Sequence, residues 1–273
     1  MKTISLRFLL LFFSCGTSLC FADSRDKLFY DAVRAEASGD LEQAVEIYLL
    51  ILKDAHSANL HANLGNLYFK LEDYARSILH FRKAIWIDPE NRDYLTNLSL
   101  ALDMNGLKLH NLPSFDSSFS PQFQTSWLIG LSIFFWSGIL CIASFFRLPL
   151  KGKRRWLIFG SWVVGTALLF MGLNQSQKEA LTVNREVIVL NPSSPTSNET
   201  SGIPLRVFAG NGSIANTTIQ TGTSLLLDLD KDGKPRVHRS QSGEKWYLVR
   251  SHSGSNKGWI QRSEFEPILD IKL

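Results

Sequence analysis

The side chains with the greatest chemical potential in this 273-residue sequence are six histidines, and their spacing matches no common catalytic or metal-binding motif. They are His56, His61, His80, His110, His238 and His252. None belongs to the His-Glu-x-x-His pattern that holds zinc on a helix, and no glycine-rich phosphate loop occurs. We therefore expect a protein that is not an enzyme, with no catalytic residue, cofactor or metal site, and we interpret His61 and His80 as packing residues.

An acidic stretch from Asp228 to Gly233 begins like a calcium-binding loop. Such a loop places oxygen ligands at positions one, three and five and a bidentate acid at position twelve. Asp228, Asp230 and Asp232 meet the first requirement, but position twelve is Arg239. We therefore interpret Asp232-Gly233 as the polar turn of a β-hairpin.

Two tryptophans, Trp246 and Trp259, are the prominent aromatic residues of the C-terminal region. Their rings could form a platform for a cell-wall peptide or a proline-rich segment. The alternative is that they fill the core of a small β-domain. We favour the core role, above all for Trp259, because Gly258 before it predicts a tight corner of the chain.

Residues 58–91 alternate small and large side chains in the way that two closely packed antiparallel helices require. The pattern is carried by Leu64, Gly65, Tyr68, Ser77, Phe81, Ala84 and Pro89. The small residues permit close approach, the aromatic ones fill the space between layers, and the proline ends the second helix. This stretch resembles a tetratricopeptide (TPR) repeat, whose period is about 34 residues. Ser57 and Asp73 are predicted to cap its two helices.

The same pattern recurs on both sides of this unit. The equivalent upstream positions are Ala32, Ala35, Gly39-Asp40, Ala44 and Tyr48. The downstream positions that repeat a first helix are Leu95, Leu98, Ser99 and Leu102. We predict an all-α domain over residues 23–106, built of two full repeats and a closing helix.

The first helices of TPR repeats line a groove that binds peptides. The corresponding residues in this sequence are Asn59, Ala62, Asn66, Phe69 and Lys70. Asparagine side chains at such positions can bind the backbone amides of a ligand without requiring a particular sequence. The alternative is an ordinary solvated helix face. Capture of a terminal carboxylate would also use a Lys and an Asn on the first repeat, where Phe29 and Val33 stand instead.

Two apolar runs, residues 127–146 and 156–173, contain no charged residue and approach the about 20 residues that cross a hydrocarbon core. Residues 147–155 between them carry five basic residues and no acid. Because short basic loops stay on the cytoplasmic side, we predict a hairpin of two transmembrane helices with both flanking domains outside the cytoplasm. Much of the net charge of +4 sits in this loop, so we do not predict nucleic-acid binding.

Two further segments complete the N-terminal part of the chain. Residues 107–126 hold two prolines and scattered serines without a steady period, and are predicted to be a linker. Residues 1–22 have the basic start, apolar centre and small residues before Ala22 that characterise a cleaved signal peptide. The alternatives are an uncleaved anchor and a lipidated Cys15.

The C-terminal region, residues 174–273, begins with an exit linker and then becomes rich in short β-prone runs, with a domain core at 182–270. The predicted strands are Glu186–Leu190, Leu205–Phe208, Ser224–Leu229, Lys245–Arg250, Lys257–Ile260 and Glu266–Ile268. Short strands separated by turn signals indicate a small barrel or sandwich.

Two motifs, Trp246-Tyr-Leu-Val249 and Gly258-Trp-Ile260, give this region a resemblance to bacterial SH3-like domains. The resemblance implies a small all-β barrel. The predicted fold is therefore multidomain: an all-α TPR repeat, a two-helix transmembrane hairpin and an SH3-like barrel.

The order of these parts resembles BatE, the TPR member of the aerotolerance-associated Bat proteins, over almost the whole chain. This resemblance implies a non-enzymatic scaffold in the bacterial inner membrane, with its terminal domains in the periplasm. It also implies Bat-type von Willebrand factor A proteins as partners, a MoxR-type ATPase as an indirect partner, and a role in oxidative-stress tolerance. The alternative function is a sensor or anchor that binds peptidoglycan through the SH3-like domain.

Overall fold

A computed structural model describes residues 25–108, 124–147, 152–191, 202–240 and 243–269, and the side chains of 141–147 and 152–155 are not part of that description. The predicted signal peptide, most of the predicted linker and part of the basic loop lie outside the described residues. The chain divides into two compact units: one contains the N-terminal helices, and the other contains the long apolar helices and most of the β-strands.

The N-terminal unit is a stack of five antiparallel helices, as the repeat pattern predicts. Their bounds are residues 25–38 (α1), Leu41–Leu52 (α2), Ala58–Lys70 (α3), Tyr74–Ile87 (α4) and Arg92–Met104 (α5). Side chains cap the helices at the two predicted residues and at one more: Ser57 accepts from the Leu60 amide, Asp73 from the Arg76 amide, and Asp40 from the Gln43 amide. Each of these bonds satisfies a backbone N–H that the first turn of a helix leaves without a partner.

The close contact between α3 and α4 depends on the small residues that the repeat pattern places there. A Cβ atom added to Gly65 would lie 2.8 Å from the ring of Phe81, so only glycine permits this approach. On the same interface the Ser77 hydroxyl, fully buried, donates to the Gly65 carbonyl at 2.8 Å. The repeat core is therefore held by steric fit and by a buried hydrogen bond together.

Two long helices, α6 (Gln124–Arg147) and α7 (Gly152–Val183), follow the repeat unit. Within α7, the segment Trp156–Val183 has a mean hydropathy of 1.8 in an 18-residue window that is only 11% buried, so it is long and apolar enough to span a membrane. The described apolar part of α6, Gln124–Leu140, is shorter than the 18 residues required of a candidate membrane span. Within the described residues, the second of the two predicted spans is therefore long enough and the first is not.

The helix bounds differ from the predicted ones at three places. Helix α6 begins at Gln124, inside the predicted linker, and α7 begins at Gly152, inside the predicted basic loop. Helix α7 also continues to Val183, through residues 174–181, for which the sequence left a short helical exit and a linker as alternatives. The reason for the last difference is composition, since residues 174–181 include glutamine, lysine, glutamate and alanine, which favour helix without requiring burial.

Helices α6 and α7 pack through glycines that meet aromatic rings of the other helix. Gly165 faces Phe134, where an added Cβ would lie 2.5 Å from the ring, and Gly172 faces Trp127, where it would lie 2.6 Å away. The Trp162 indole donates to the Phe134 carbonyl at 2.7 Å. Glycines of this kind allow two apolar helices to approach without a hydrophobic driving force in lipid.

The C-terminal region is an eight-stranded sheet in which all described pairings are antiparallel. Its strands are Glu186–Val189 (β1), Ile203–Arg206 (β2), Ala215–Ile219 (β3), Ser224–Leu227 (β4), Val237–Arg239 (β5), Lys245–Arg250 (β6), Lys257–Gln261 (β7) and Phe265–Pro267 (β8). The order of seven strands is β3-β2-β7-β6-β4-β1-β8. The eighth strand, β5, lies outside this order and pairs with β6. All six predicted strands are present, Lys245–Arg250 with its predicted bounds and the other five with shifted ends, and β3 and β5 are additional.

The core of the sheet is formed by strands that are buried along their length. Every residue of β1 and β4 is buried, and the Trp246 and Ile260 side chains have no exposed surface. The guanidinium of Arg206 lies 4.8 Å from the centre of the Trp246 ring, an arrangement that shields the ring and stabilises it by a cation–π contact.

The connection from α7 to β1 consists of Asn184 and Arg185, and both are tied to structure. The Asn184 amide donates to the Ala180 carbonyl at 2.9 Å, which extends the last turn of the helix. The Arg185 Nε donates to the Leu227 carbonyl at 2.9 Å, and the Leu227 amide donates back to the Arg185 carbonyl at 2.8 Å. The helix therefore passes into the sheet without a free linker.

Candidate functional site

The first helices of the repeats, α1, α3 and α5, present one continuous face that we call the groove, because stacked helical repeats curve toward this side. Three polar contacts join neighbouring helices across it. Lys70 Nζ lies 2.8 Å from Glu36 Oε1, and the Tyr94 hydroxyl donates to Asn59 Oδ1 at 2.6 Å. Asn97 Nδ2 donates to Asn66 Oδ1 at 3.5 Å. These contacts fix the spacing of the helices at the surface of the groove.

Four of the five predicted groove residues reach this surface. Asn59, Asn66 and Lys70 are exposed, and Phe69 is half-buried, with its ring centre 5.4 Å from that of Tyr74 in an edge-to-face contact. Ala62 is only 6% exposed, because a side chain that small lies below its larger neighbours and contributes little contact area. The structure therefore brings the predicted residues together on one helix face, with Ala62 beneath it.

Asn59 and Asn66 each use the oxygen of the side-chain amide within the repeat unit and leave the nitrogen for a ligand. Asn59 and Asn66 use their side-chain oxygens to accept bonds from α5. Their Nδ2 groups are therefore the parts that could donate to the carbonyl groups of a bound peptide. This arrangement suits an extended chain whose backbone is recognised, and it holds both side chains in place before a ligand arrives.

Sequence reasoning missed the part that the two outer helices contribute to the groove. On α1, Phe29 is 36% and Val33 41% exposed; on α5, Leu100 is 49% and Met104 53% exposed. Counting one period of 34 residues on from Asn66 and Lys70 leads to Leu100 and Met104, so the repeat length itself was a usable signal. The outer helices therefore add apolar side chains on both sides of the polar residues of α3.

The two packing histidines form a buried pair between α3 and α4. His61 Nδ1 and His80 Nδ1 lie 3.1 Å apart, and the Tyr68 ring stacks on His80 at 5.3 Å. Burial, together with the nearby charges of His61, Lys83 and Arg76, holds the pKa of His80 well below its ordinary value of 6.5. His80 is therefore neutral at pH 7 and serves the packing of the repeat.

The two tryptophans lie in different surroundings. Trp246 has no exposed surface, so its ring is not open to a ligand. Trp259 is half-buried, and its ring meets the edge of His238 at a centroid distance of 6.3 Å. Of the two predicted aromatics, Trp259 is the one that a ligand of the β-domain could reach.

The acidic stretch from Asp228 forms a tight turn. The Asp230 amide donates to the Lys234 carbonyl at 2.7 Å, and Gly233 takes a positive φ of 74°. The Asp228 carboxylate is 2.9 Å from Lys257 Nζ, which places a cation where a calcium ion would have to bind. Within the described residues, no group of three or more His, Cys, Asp or Glu side chains could hold a metal ion.

One cluster in the sheet contains the residue types of a serine hydrolase. The Ser224 hydroxyl lies 2.7 Å from Glu186 Oε1 and 2.9 Å from His252 Nε2. In a catalytic triad the histidine stands between serine and acid, whereas here the serine stands between the other two. Ser224 is 4% exposed, so a substrate carbonyl has no access to it. The geometry is that of a buried structural network.

Comparison with known proteins agrees with the helical part of this description. The family model described as Tetratricopeptide repeat matches residues 58–91, which comprise α3, α4 and the turn after them. None of the curated proteins searched shows significant similarity to the chain. The N-terminal unit therefore contains a TPR repeat, and a repeat of this kind indicates a role in protein–protein interaction.

Proposed function

We propose that this protein is a non-enzymatic, membrane-anchored scaffold that binds protein partners through the groove of its TPR unit. The observation that carries the proposal is the complete repeat at residues 58–91, with Asn59, Asn66 and Lys70 exposed on its first helix. Each of these side chains makes one polar contact within the unit and keeps exposed surface, while the hydrophobic core is formed by other residues. This exposed surface is therefore available to a partner.

The anchor in this proposal is the helix pair α6 and α7, with the basic segment 147–155 in the cytoplasm and both flanking domains outside it. The apolar, largely exposed surface of α7 supports a membrane location, because a soluble core helix of this length would be mostly buried. The glycine–aromatic packing of α6 on α7 supports a hairpin in which both helices cross the membrane.

The order of a TPR unit, two apolar helices and a β-domain supports a place among the Bat-type proteins of bacterial inner membranes. In that setting the β-domain has an SH3-like fold and stands in the periplasm with the TPR unit. The partners are then Bat-type von Willebrand factor A proteins, with a MoxR-type ATPase reached through them. The function is assembly of a complex that protects the cell envelope during oxidative stress.

Affinity purification of the full chain in mild detergent tests this proposal. We expect envelope proteins to be recovered with the wild-type chain, and their recovery to fall about tenfold in Asn66→Arg/Leu100→Arg, since both substitutions place bulky charge in the groove. The matched control, Gln43→Arg/Leu50→Arg, adds the same charge at two exposed residues of α2 and is expected to retain the partners. Repeated recovery of the chain alone would contradict the scaffold function.

A second candidate function is binding of peptidoglycan by the β-domain, and the half-buried ring of Trp259 beside His238 is the observation that favours it. Sedimentation with purified sacculi is the test. Under this function the full chain sediments with the sacculi, and Trp259→Ala reduces the bound fraction at least threefold while the far-UV spectrum is unchanged. Equal retention of wild type and variant would remove Trp259 as the binding residue.

A further inference from the structure

The groove carries a charge pattern that restricts the kind of partner it can accept. When α1 is aligned with α3 at an offset of 33 residues and α3 with α5 at an offset of 34, the charged groove positions are Asp26, Glu36, Lys70, Asp93 and Asp103. Asp26, Asp93 and Asp103 are exposed. The groove positions of these described helices therefore carry four carboxylates and one ammonium group, which gives a formal charge of −3 at pH 7.

The one cation of this set is already engaged. Lys70 Nζ lies 2.8 Å from the Glu36 carboxylate of the neighbouring repeat, and both side chains are only partly exposed. A terminal carboxylate entering the groove would have to displace Glu36 and would then face the remaining acids. The ion pair therefore opposes an anionic ligand, independently of the absence of Lys and Asn at Phe29 and Val33.

Apolar side chains alternate with these acids on the outer helices. On α1, Phe29 and Val33 are 36% and 41% exposed, although both are large and apolar. Leu100 and Met104 give α5 a similar surface. Exposed apolar groups that are grouped and bordered by polar residues mark interaction sites rather than random surface.

We propose that the groove binds an internal, extended segment of a partner protein that combines lysine or arginine with at least one apolar side chain. The acids attract the basic groups, the apolar ends receive the apolar side chain, and the Asn59 and Asn66 amides take the backbone. This inference rests on the proposed protein-binding function and adds the chemistry of the ligand.

The test uses the full chain in mild detergent and an array of 12-residue peptides with amidated C-termini in three matched sets. One set combines Lys or Arg with Leu or Phe, the second replaces the basic residues by Glu, and the third replaces the apolar residues by Ser. We expect the first set to bind about tenfold more tightly than either of the others, and its binding to weaken as added salt screens the charges.

Two variants of equal charge change separate the groove from the rest of the surface. Asp26→Lys/Asp93→Lys reverses two groove acids and is expected to weaken binding of the first set about tenfold. Glu46→Lys/Asp54→Lys reverses two exposed acids of α2 and the turn after it, and is expected to stay within about twofold of wild type.

The outcomes distinguish this inference from the proposed function. Groove-dependent binding that favours the acidic set, or that requires a free terminal carboxylate, would overturn the ligand chemistry and leave the scaffold function intact. Binding that is equal in both charge-reversal variants would place the peptide outside the groove and also overturn the inference. Failure of all three peptide sets to bind would also overturn the inference. The scaffold function is decided separately, by the recovery of partners in the affinity purification.

Discussion

Phe81→Ala is expected to lower the free energy of unfolding of the TPR unit by about 3–5 kcal/mol. The Phe81 side chain is 1% exposed and lies against Gly65 across the α3–α4 interface, so its removal leaves a cavity that a repeat of two short helices cannot close. Urea-induced unfolding of the full chain in mild detergent, followed by far-UV circular dichroism, measures the change. Ile87→Ala on the same helix, at a side chain that is 38% exposed, should cost less than about 1 kcal/mol.

The steric origin of this contact can be isolated with a double-mutant cycle. In the wild-type chain, Gly65→Ala places a methyl group 2.8 Å from the Phe81 ring and should destabilise the unit by about 1–3 kcal/mol. With Phe81→Ala already present, the ring is gone and Gly65→Ala should instead stabilise, by up to about 1 kcal/mol, because alanine favours helix more than glycine. The same cost in both backgrounds would contradict direct contact between the two positions.

Acidification from pH 7 to pH 5 is expected to destabilise the TPR unit through His80, whose pKa is lowered in the folded state. The folded state keeps His80 neutral because its pKa is lowered well below 6.5, whereas the unfolded chain titrates at the ordinary value. Below pH 6.5 the unfolded state therefore binds a proton that the folded state does not. The stabilisation is complete above pH 6.5 and is lost as the pH falls toward the lowered pKa.

Unfolding curves at half-unit pH intervals measure this dependence. His80→Gln removes the titrating group, so its stability should fall less steeply between pH 7 and pH 5 than that of the wild type. Ile87→Ala serves as the control, because it removes a partly exposed side chain without changing any titratable group, and it should leave the slope unchanged. An equal slope in His80→Gln and wild type would show that the buried pair does not titrate as described.

The helical part of the fold could be predicted from the sequence because the contacts that determine it join residues of the same repeat. The caps at Ser57 and Asp73 act on amides three residues away, and each fixes the start of one helix. The pairing of Gly65 with Phe81 follows from a repeat whose two helices must face each other. The groove residues followed from the same repeat, except where their exposure depended on neighbouring helices, as at Ala62.

Features that depend on tertiary contact could not be predicted in this way. Strand β5 has three exposed residues and β3 only one buried residue, so neither has the apolar alternation by which a strand is recognised. The His61–His80 pair joins residues 19 positions apart on two helices, and no local pattern indicates that their rings meet. The burial of Trp246 likewise depends on Arg206, a residue of another strand.

The tight junction after α7 has a mechanical consequence. A helix of 32 residues is about 48 Å long, which exceeds the thickness of a hydrocarbon core of about 30 Å. Arg185 fastens the end of this rod to β4 by two hydrogen bonds, so the rod and the sheet turn as one piece. A change in the tilt of α7 is therefore expected to move the β-domain with the helix, because no slack segment separates the two.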